Sequence, residues 1–438
     1  MTLQLAVAQF SPRKGEYGRN LTRLGELFAQ TDSLSPRPQV LCLPESALTG
    51  YFLEGGVREV AMPAGELARD LQRIYREHVT GARMLDVVIG FYELHANKLY
   101  NSALYVTLGG SDAIVRHVHR KMFLPTYGMF DEERFVERGR EVRAFDTSWG
   151  RMAILVCEDA WHSVTGTIAA LDGAQVIFVL SAPPARGPWP MEHGVPGPAS
   201  VNRWERLARD IAEEHGVFVA LSNLVGSEAG KLFPGASMLM GPKGDLRVRG
   251  PLWEEAIITA ACDTEDVTRA RTDMPLVADL EVMIPHLVAN IGRVQAGEPV
   301  VLAYGAANGA AHGAVDRSTD GARDGGTEAG RKAAAKSSNV GVTVVSAGPF
   351  IAPLPLEIDP KITEEWLVHF IREEMSQRGF ERAVIGVSGG VDSAVTAYLA
   401  AKALGAENVI GVRMPYRTSS KDSLEHAQLV IDALGIEG

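Results

Sequence analysis

Short apolar runs alternate with amphipathic stretches along the first 296 residues of the chain. Val, Ile and Leu fill the runs, and Gly, Pro, Asp or Asn bound them, which is typical of strands. The runs predict strands at Leu3–Gln9, Val40–Leu43, Asp86–Tyr92, Ala103–Leu108, Ala113–Val118, Met152–Cys157, Val176–Leu180, Phe218–Asn223, Ser237–Met240 and Ile257–Cys262. Apolar residues three or four positions apart predict helices at Asn20–Gln30, Glu66–His78, Val201–His215 and Asp279–Val294. Together they predict an α/β fold in which helices cover the sheets.

The alternation stops between residues 303 and 339, which are mostly Ala, Gly and small polar residues. This segment has too little apolar bulk to offset the entropy of ordering it, so we interpret it as a flexible linker. Its repeated glycines argue against the alternative, an Ala-rich helix. Apolar periodicity returns beyond it and predicts a second region, 355–438, with helices at Thr363–Arg378, Ser393–Leu404 and Ser423–Leu434 and strands at Ala383–Val387 and Val409–Arg413.

Composition narrows the class of protein. The 438 residues are 46% hydrophobic and 22% charged, and this length predicts two domains. The net charge of −11 argues against a nucleic-acid partner, which needs clustered Lys and Arg. No apolar stretch has the length of a membrane span, and the first residues lack the pattern of a signal peptide. We therefore expect a cytoplasmic protein without a membrane partner.

The three cysteines are Cys42, Cys157 and Cys262. An odd number at wide spacing indicates reduced thiols, and no metal-ligand spacing is present. Cys42 and Cys262 lie inside apolar runs, which favours core packing. Cys157 directly follows an apolar run and precedes two acidic residues, so it is predicted at the carboxyl end of a strand, where α/β folds keep their chemistry. The position of Cys157 alone is equally consistent with a structural thiol and with a reactive one.

Two other charged residues also follow predicted strands. Glu45 ends a Pro-Glu pair, and Lys121 begins a Lys-x-x-Leu-Pro block. Each alone is more typical of a solvated surface charge. With the opening strand that holds Gln9 and the Cys-Glu-Asp block at Cys157, they resemble the nitrilase superfamily over most of residues 1–296. The resemblance implies an αββα sandwich that hydrolyses a carbon–nitrogen bond.

The resemblance also implies roles that suit the residue types. Cys157 would attack the amide carbonyl, and Glu45 would take the thiol proton and pass it to the departing amine. Lys121 would stabilise the oxyanion. Glu132 matches a further glutamate that orients the lysine and the substrate, although it also reads as one more charge of an exposed acidic run. No metal or other cofactor is expected for this half.

In the glutaminase branch of the superfamily, a tyrosine of the Leu-Pro-Thr-Tyr block lies in the pocket for the glutamine substrate, and Tyr127 matches it. Tyr51 and Phe130 would line the same pocket, or would be ordinary core aromatics. Glu158 and Ser181 complete the predicted glutamine-binding set.

One segment departs from that branch. Where the family has a Ser-Ala-Ser-Pro-Phe stretch followed by Gly-Lys, Pro183 takes the place of the second serine and Pro188 follows the glycine. Proline offers neither a hydroxyl nor an N–H group. Ser181 or Arg186 is then left as the replacement polar contact, and glutamine is less firmly indicated than amide hydrolysis.

A second motif, Ser-Gly-Gly-Val-Asp-Ser, lies between a predicted strand and a predicted helix. Glycines let backbone N–H groups approach an anion, and a helix N-terminus favours negative charge. The motif resembles the ATP pyrophosphatase (PP-loop) family, which implies a Rossmann-like domain that uses ATP and Mg²⁺. The implied ATP-binding residues are Gly386, Ser388, Gly389, Gly390, Asp392 and Ser393, with Asp392 also the implied metal ligand.

Residues 413–420 resemble a segment of NAD synthetases, although Arg417 and the nearby serines also read as a polar turn. The fusion of both regions resembles the family of glutamine-dependent NAD synthetases. That resemblance implies glutamine, ATP and deamido-NAD as substrates, and a homo-oligomer. Because the second region stops after two predicted strands, we expect this chain alone to lack a complete synthetase site.

Two alternatives stay open. One is a stand-alone amidase for another small amide with a vestigial nucleotide-binding tail, which Pro183 favours and the intact glycine motif opposes. The other is a catalytically inactive scaffold that senses nucleotides.

Overall fold

The computed structural model describes residues 2–81, 83–187, 197–296, 358–414 and 421–438. Its strands are β1 Thr2–Gln9, β2 Val40–Cys42, β3 Leu85–His95, β4 Lys98–Leu108, β5 Ile114–Arg120, β6 Ala144–Thr147, β7 Gly150–Val156, β8 Val176–Ser181, β9 Phe218–Asn223, β10 Val225–Glu228, β11 Lys231–Pro234, β12 Met238–Met240, β13 Leu246–Arg249, β14 Ala256–Asp263, β15 Ala383–Gly386 and β16 Val409–Val412. Its α-helices are α1 Tyr17–Ser33, α2 Val57–Val60, α3 Ala64–His78, α4 Ser163–Leu171, α5 Ala199–His215, α6 Thr264–Asp273, α7 Leu276–Gln295, α8 Pro360–Gln377, α9 Val391–Leu404 and α10 Lys421–Leu434. The predicted linker, Pro188 and residues 415–420 lie outside the described residues.

Two six-stranded sheets make up the larger region. One has the order β14-β1-β2-β3-β4-β5, and the other has the order β13-β12-β9-β8-β7-β6. The centre of each sheet is parallel: β1, β2 and β3 in the first, and β7, β8 and β9 in the second. Antiparallel strands complete both sheets at their edges. Because the central strands of each sheet run the same way, their carboxyl ends share one edge.

Both faces of the central strands are buried, and alternate residues serve two different cores. In β1, Leu5 and Val7 pack between the two sheets, whereas Ala6 and Ala8 pack against α1 and α3. The second sheet repeats the pattern with α4 and α5 on its outer face. The layers are therefore helix, sheet, sheet, helix, which confirms the predicted αββα sandwich.

All ten strands predicted in the larger region are present, and their boundaries shift by a few residues. The predicted run to Cys157 is too long, because the strand ends at Val156 and the cysteine begins a 3₁₀ turn. The prediction missed β6, the hairpin of β10 and β11, and β13, each of which has four residues. It also missed α2, α4 and α6. Elements this short carry too few residues for a periodic signal.

The smaller region has the predicted strand–helix–strand order. Parallel strands β15 and β16 pair from Ala383 with Val409 to Gly386 with Val412. Helices α9 and α10 cover a small core that includes Val387, Ala397 and Ile431.

Contacts divide the chain into two units, residues 1–283 with 357–438 and residues 284–356, and only 284–296 of the second unit are described. Within the described residues, no single helix has the length and apolarity of a membrane span, although α6 and α7 taken as a bent pair meet that test.

Candidate active site

Four predicted residues lie at strand ends in the αββα region. Glu45 follows β2, Lys121 follows β5, Cys157 follows β7, and Ser181 is the last residue of β8. These strands come from both sheets, so the residues meet only because the sheets stack face to face. Glu45, Lys121 and Ser181 are fully buried, and the thiol residue is partly exposed.

Lys121 is the centre of a buried charged cluster. Its Nζ donates to Glu45 Oε1 at 2.9 Å and to Glu132 Oε1 at 2.7 Å. The same oxygen of Glu132 accepts a hydrogen bond from the Tyr51 hydroxyl, and Asn101 Nδ2 donates to Glu45 Oε1 at 2.8 Å. Among the described residues, Glu45 Oε2 and Glu132 Oε2 are buried without a hydrogen-bond partner. Each carboxylate thus keeps one oxygen for another group.

Two carboxylates around one ammonium fix the charge of the lysine. Burial by itself would lower the pKa of Lys121, but the charges of Glu132 and Glu45 hold that pKa well above its ordinary value. Burial also raises the pKa of Glu132, against the lowering effect of the lysine. The carboxylates therefore favour the charged form of this buried lysine. In such surroundings water screens its electrostatic interactions less than it does at the surface.

Cys157 is held in an unusual backbone conformation. Its φ is +48°, in the left-handed region, at the point where β7 turns into a 3₁₀ helix. A non-glycine residue there costs about 1 kcal/mol or more, which the surrounding structure must offset. The turn places Sγ where it accepts a hydrogen bond from Ser181 Oγ at 3.3 Å. Such sharp strand-to-helix turns present the nucleophile in α/β-hydrolases.

The surroundings of the Cys157 thiol favour its protonated form. Burial raises the pKa of Cys157, the charge of Glu45 raises it further, and Lys121 opposes both. A buried thiol close to a carboxylate has its charge repelled, so a proton acceptor must act before it becomes a strong nucleophile.

Asp159, the last residue of the Cys-Glu-Asp block, connects the segment after Lys121 to the turn at Cys157. Its Oδ1 accepts the N–H groups of Met122 at 2.9 Å and Phe123 at 3.0 Å. Its Oδ2 accepts the N–H of Val156 at 3.1 Å and His119 Nε2 at 2.8 Å. Its position two residues after the cysteine was the only sequence signal. Asn101 was missed altogether, because a single polar residue in a strand points to nothing by itself.

Tyr127 and Glu158 form the exposed rim of the site. The Tyr127 hydroxyl donates to Glu158 Oε2 at 2.8 Å, and burial together with this bond raises the pKa of Tyr127 to about 12. The Tyr127 ring meets Phe130 edge to face at 5.8 Å, and the Arg186 guanidinium lies 5.2 Å from the Phe130 ring centre. Arg186 is thus a cation at the rim.

Next to the rim is a cavity of about 290 Å³, lined by Tyr51, Phe130 and Glu132 among others; Cys157 does not line it. Pro183 is buried two residues beyond Ser181, so the place of the missing serine hydroxyl offers no polar side-chain atom. Ser181 is directed at the thiol instead. Of the two replacement contacts that the sequence left open, Arg186 is the one at the rim.

The glycine motif forms a tight turn between β15 and α9. Gly389 has a φ of +82°, and a Cβ there would collide with the carbonyl oxygen of Ser423. The hydroxyls of Ser388 and Ser393 are 3.1 Å apart, and Ser393 Oγ also donates to Gly390 O at 2.9 Å. Asp392 is exposed in the first turn of α9. The motif thus presents hydroxyls and a helix N-terminus on one exposed turn.

Comparisons with known proteins agree with this geometry. The NAD synthase family model matches residues 363–438. The glutamine-dependent NAD(+) synthetase of Thermotoga maritima is 27% identical over 449 aligned residues, covering 99% of this chain and 64% of that protein. The NH(3)-dependent NAD(+) synthetase of Chlorobaculum parvum is 54% identical over 84 residues, covering 19% of this chain and 30% of that protein.

A solved structure of the glutamine-dependent NAD+ synthetase from Acinetobacter baumannii, in complex with ADP, superposes with a TM-score of 0.67 at 21% identity. The superposition covers 100% of this chain and 64% of the Acinetobacter baumannii chain. The relatives that align along the whole of this chain are longer, and the chain spans less than two thirds of their length. The carbon-nitrogen hydrolase model matches residues 4–272, which is well over half of the sequence. The chain belongs to the carbon-nitrogen hydrolase family.

Proposed function

We propose that this chain hydrolyses glutamine at Cys157 and that the ammonia serves the ATP-dependent amidation of deamido-NAD to NAD. The observation that carries the proposal is the buried Lys121 between two carboxylates, next to a thiol held on a left-handed turn. The choice of glutamine as the amide and NAD as the product is supported by the glutamine-dependent NAD(+) synthetases that align along 99% of the chain.

The hydrolysis follows from the free atoms of the cluster. Glu45 Oε2, which has no hydrogen-bond partner among the described residues, takes the proton as Cys157 Sγ attacks the amide carbon. The Lys121 ammonium stabilises the negative oxygen that forms. Glu45 then gives the proton to the leaving nitrogen, so ammonia departs and a thioester remains. Water, deprotonated by Glu45, cleaves the thioester and releases glutamate and the thiol.

Glu132 and Tyr51 position the lysine in this mechanism, and the rim selects the substrate. The Glu158 carboxylate suits the ammonium group of glutamine, and the Arg186 guanidinium suits its carboxylate. Arg186 would thus replace the lysine of the glutaminase branch. Tyr127 holds Glu158 in place.

The smaller region would bind ATP. The glycine turn and the hydroxyls of Ser388 and Ser393 suit phosphate oxygens at the N-terminus of α9. Asp392 would hold Mg²⁺, which would neutralise the phosphate charge. A carboxylate suits a hard cation that also binds phosphate oxygens.

The proposal also covers organisation. We assign residues 1–296 to hydrolysis, 303–339 to a linker and 355–438 to the start of the synthetase region; the two family matches, 4–272 and 363–438, support this division. Three free cysteines support a reducing, cytoplasmic location. The homo-oligomer rests on the resemblance to nitrilases, and sedimentation velocity would measure it.

Ammonia release from glutamine tests the assignment. Cys157→Ala should abolish it, because Cys157 is partly exposed at the cluster whereas Cys42 and Cys262 are buried in the apolar core. Cys262→Ala, which removes a buried thiol from β14, should keep the wild-type rate. A panel of short amides under the same conditions tests the substrate. Faster cleavage of another amide than of glutamine would favour the stand-alone amidase, and an active Cys157→Ala variant would refute the mechanism.

A further inference from the structure

The hairpin of β10 and β11 lies between the hydrolase site and the first helix of the smaller region. Successive residues of a strand point to opposite faces, so Ser227 and Glu228 face different neighbours. Ser227 faces α8: its carbonyl oxygen accepts from Gln377 Nε2 at 2.6 Å, and its hydroxyl donates to Glu374. Glu228 faces the opposite way, toward the turn that precedes Phe52.

Glu228 holds that turn with both carboxylate oxygens. They accept the backbone N–H groups of Tyr51, at 2.9 Å, and of Phe52. The approach is so close that a Cβ on Gly50, whose φ is +80°, would lie 2.8 Å from Glu228 Oε2. The side chain is only 4% exposed. Charge-assisted bonds in a buried place are strong and directional, so this carboxylate fixes the backbone of the turn.

This turn also fixes the position of a hydrogen-bond donor in the active site, the Tyr51 hydroxyl. The Tyr51 hydroxyl donates to Glu132 Oε1, the oxygen that also accepts from Lys121 Nζ. The Tyr51 carbonyl oxygen is held by the Tyr92 hydroxyl at 2.9 Å. A shift of the turn would therefore move the Tyr51 hydroxyl and with it the carboxylate that orients the lysine.

We infer that Glu228 is a positioning residue for amide hydrolysis at Cys157, and that the packing of α8 on the hairpin regulates this hydrolysis through Glu228. The inference rests on the proposed hydrolysis. Helix α8 packs on the larger region at a second point as well, where Trp253 meets Trp366 and His369, with ring centres 6.2 and 5.8 Å apart. A movement of α8 in the smaller region thus reaches the hairpin directly.

The first experiment replaces Glu228 with glutamine in the full chain. Glu228→Gln keeps the size but turns an N–H donor toward one of the two backbone N–H groups, so one bond is lost. We expect kcat for glutamine to fall at least about tenfold while KM changes less than about twofold, because Glu158 and Arg186, which we propose to bind the substrate, make no contact with Glu228. Glu77→Gln, on the exposed face of α3, is the matched control. Wild-type values of both constants for Glu228→Gln would overturn the inference.

The second experiment tests the link to α8. Gln377→Ala removes the bond to Ser227, and we expect kcat to fall about threefold with an unchanged melting temperature; Glu365→Ala, on the exposed side of α8, should be silent. The double variant with Glu228→Gln should be no slower than Glu228→Gln alone, because both changes act on one path. A silent Gln377→Ala, or losses that simply multiply, would refute the role of α8. An active Cys157→Ala would instead refute the proposed function itself.

Discussion

Lys121 is a fully buried ammonium with two carboxylate partners, an arrangement that is costly for stability and useful for catalysis. Taking three charged groups out of water carries a penalty of several kcal/mol for each ion, which their attraction repays only with good geometry. The same dry surroundings strengthen the field of the ammonium on a developing oxyanion. The raised pKa values of Cys157 and Lys121 agree with this division of roles, since they favour a protonated thiol beside a charged ammonium.

Asp159 carries four hydrogen bonds that hold the lysine segment against the cysteine turn. In Asp159→Asn one acceptor oxygen becomes a donor, which leaves the N–H groups on that side unsatisfied. We expect the free energy of unfolding to fall by about 2–4 kcal/mol and kcat to fall about 100-fold. Urea unfolding and glutamine hydrolysis measure the two effects. Asp146→Asn, at an exposed ion pair in β6, is the control; equal behaviour of the two variants would contradict the role given to Asp159.

At the scale of elements, parallel strand ends and tight turns place the chemistry. The turn after β7 and the turn after β15 both run from a strand into a helix, and both need a left-handed residue, Cys157 in one and Gly389 in the other. The first turn carries the strain of a non-glycine residue, whereas the second uses a glycine that has no such penalty.

Gly389→Ala tests the second turn. The added Cβ would collide with Ser423 O in α10 and would hold a left-handed φ, at a cost of about 1–3 kcal/mol. We expect faster hydrogen exchange in β15, α9 and α10 and unchanged glutamine hydrolysis at Cys157. Gly379→Ala, whose φ of +71° carries the same backbone strain but whose Cβ would meet no atom, is the control for the collision. Equal exchange in the two variants would show that the contact with α10 does not matter.

At the scale of the molecule, the two regions differ in the size of their cores. The αββα region has three large buried clusters, whereas the described part of the smaller region has a two-stranded sheet over a few apolar side chains, and Val384 of β15 is 68% exposed. Sheets of two strands are marginal without further packing.

We therefore expect residues 358–438 to open before the larger region does. Native-state hydrogen exchange should show lower protection in β15, β16 and α9 than in β1, β7 and β8. Glutamine hydrolysis should survive the denaturant concentration at which the smaller region opens, reduced only by the loss of α8 from the hairpin. Equal protection in both regions would contradict this order.

The sequence alone predicted the helix-covered sheets and, through its family resemblance, the αββα layers and the candidate reacting groups. Short apolar runs bounded by Gly, Pro, Asp or Asn predict strands, and a charged residue just beyond such a run is consistent with a site at the sheet edge. Glu45, Lys121 and Cys157 were predicted as a site from such positions together with their resemblance to the nitrilase superfamily, although dozens of residues separate them in the chain. The glycine motif was predicted from its fixed spacing.

Only the tertiary structure decided which groups act on one another. Asn101 and Glu228 have no local signal, and Asp159 has only its place two residues after Cys157. All three acquire partners from strands and turns that are distant in the chain. The hairpin of β10 and β11 was missed because four residues are too few for a period, yet it joins α8 to the turn at Tyr51. The periodicity of apolar residues indicates which side of an element faces the core, but it does not indicate which other element packs against that side.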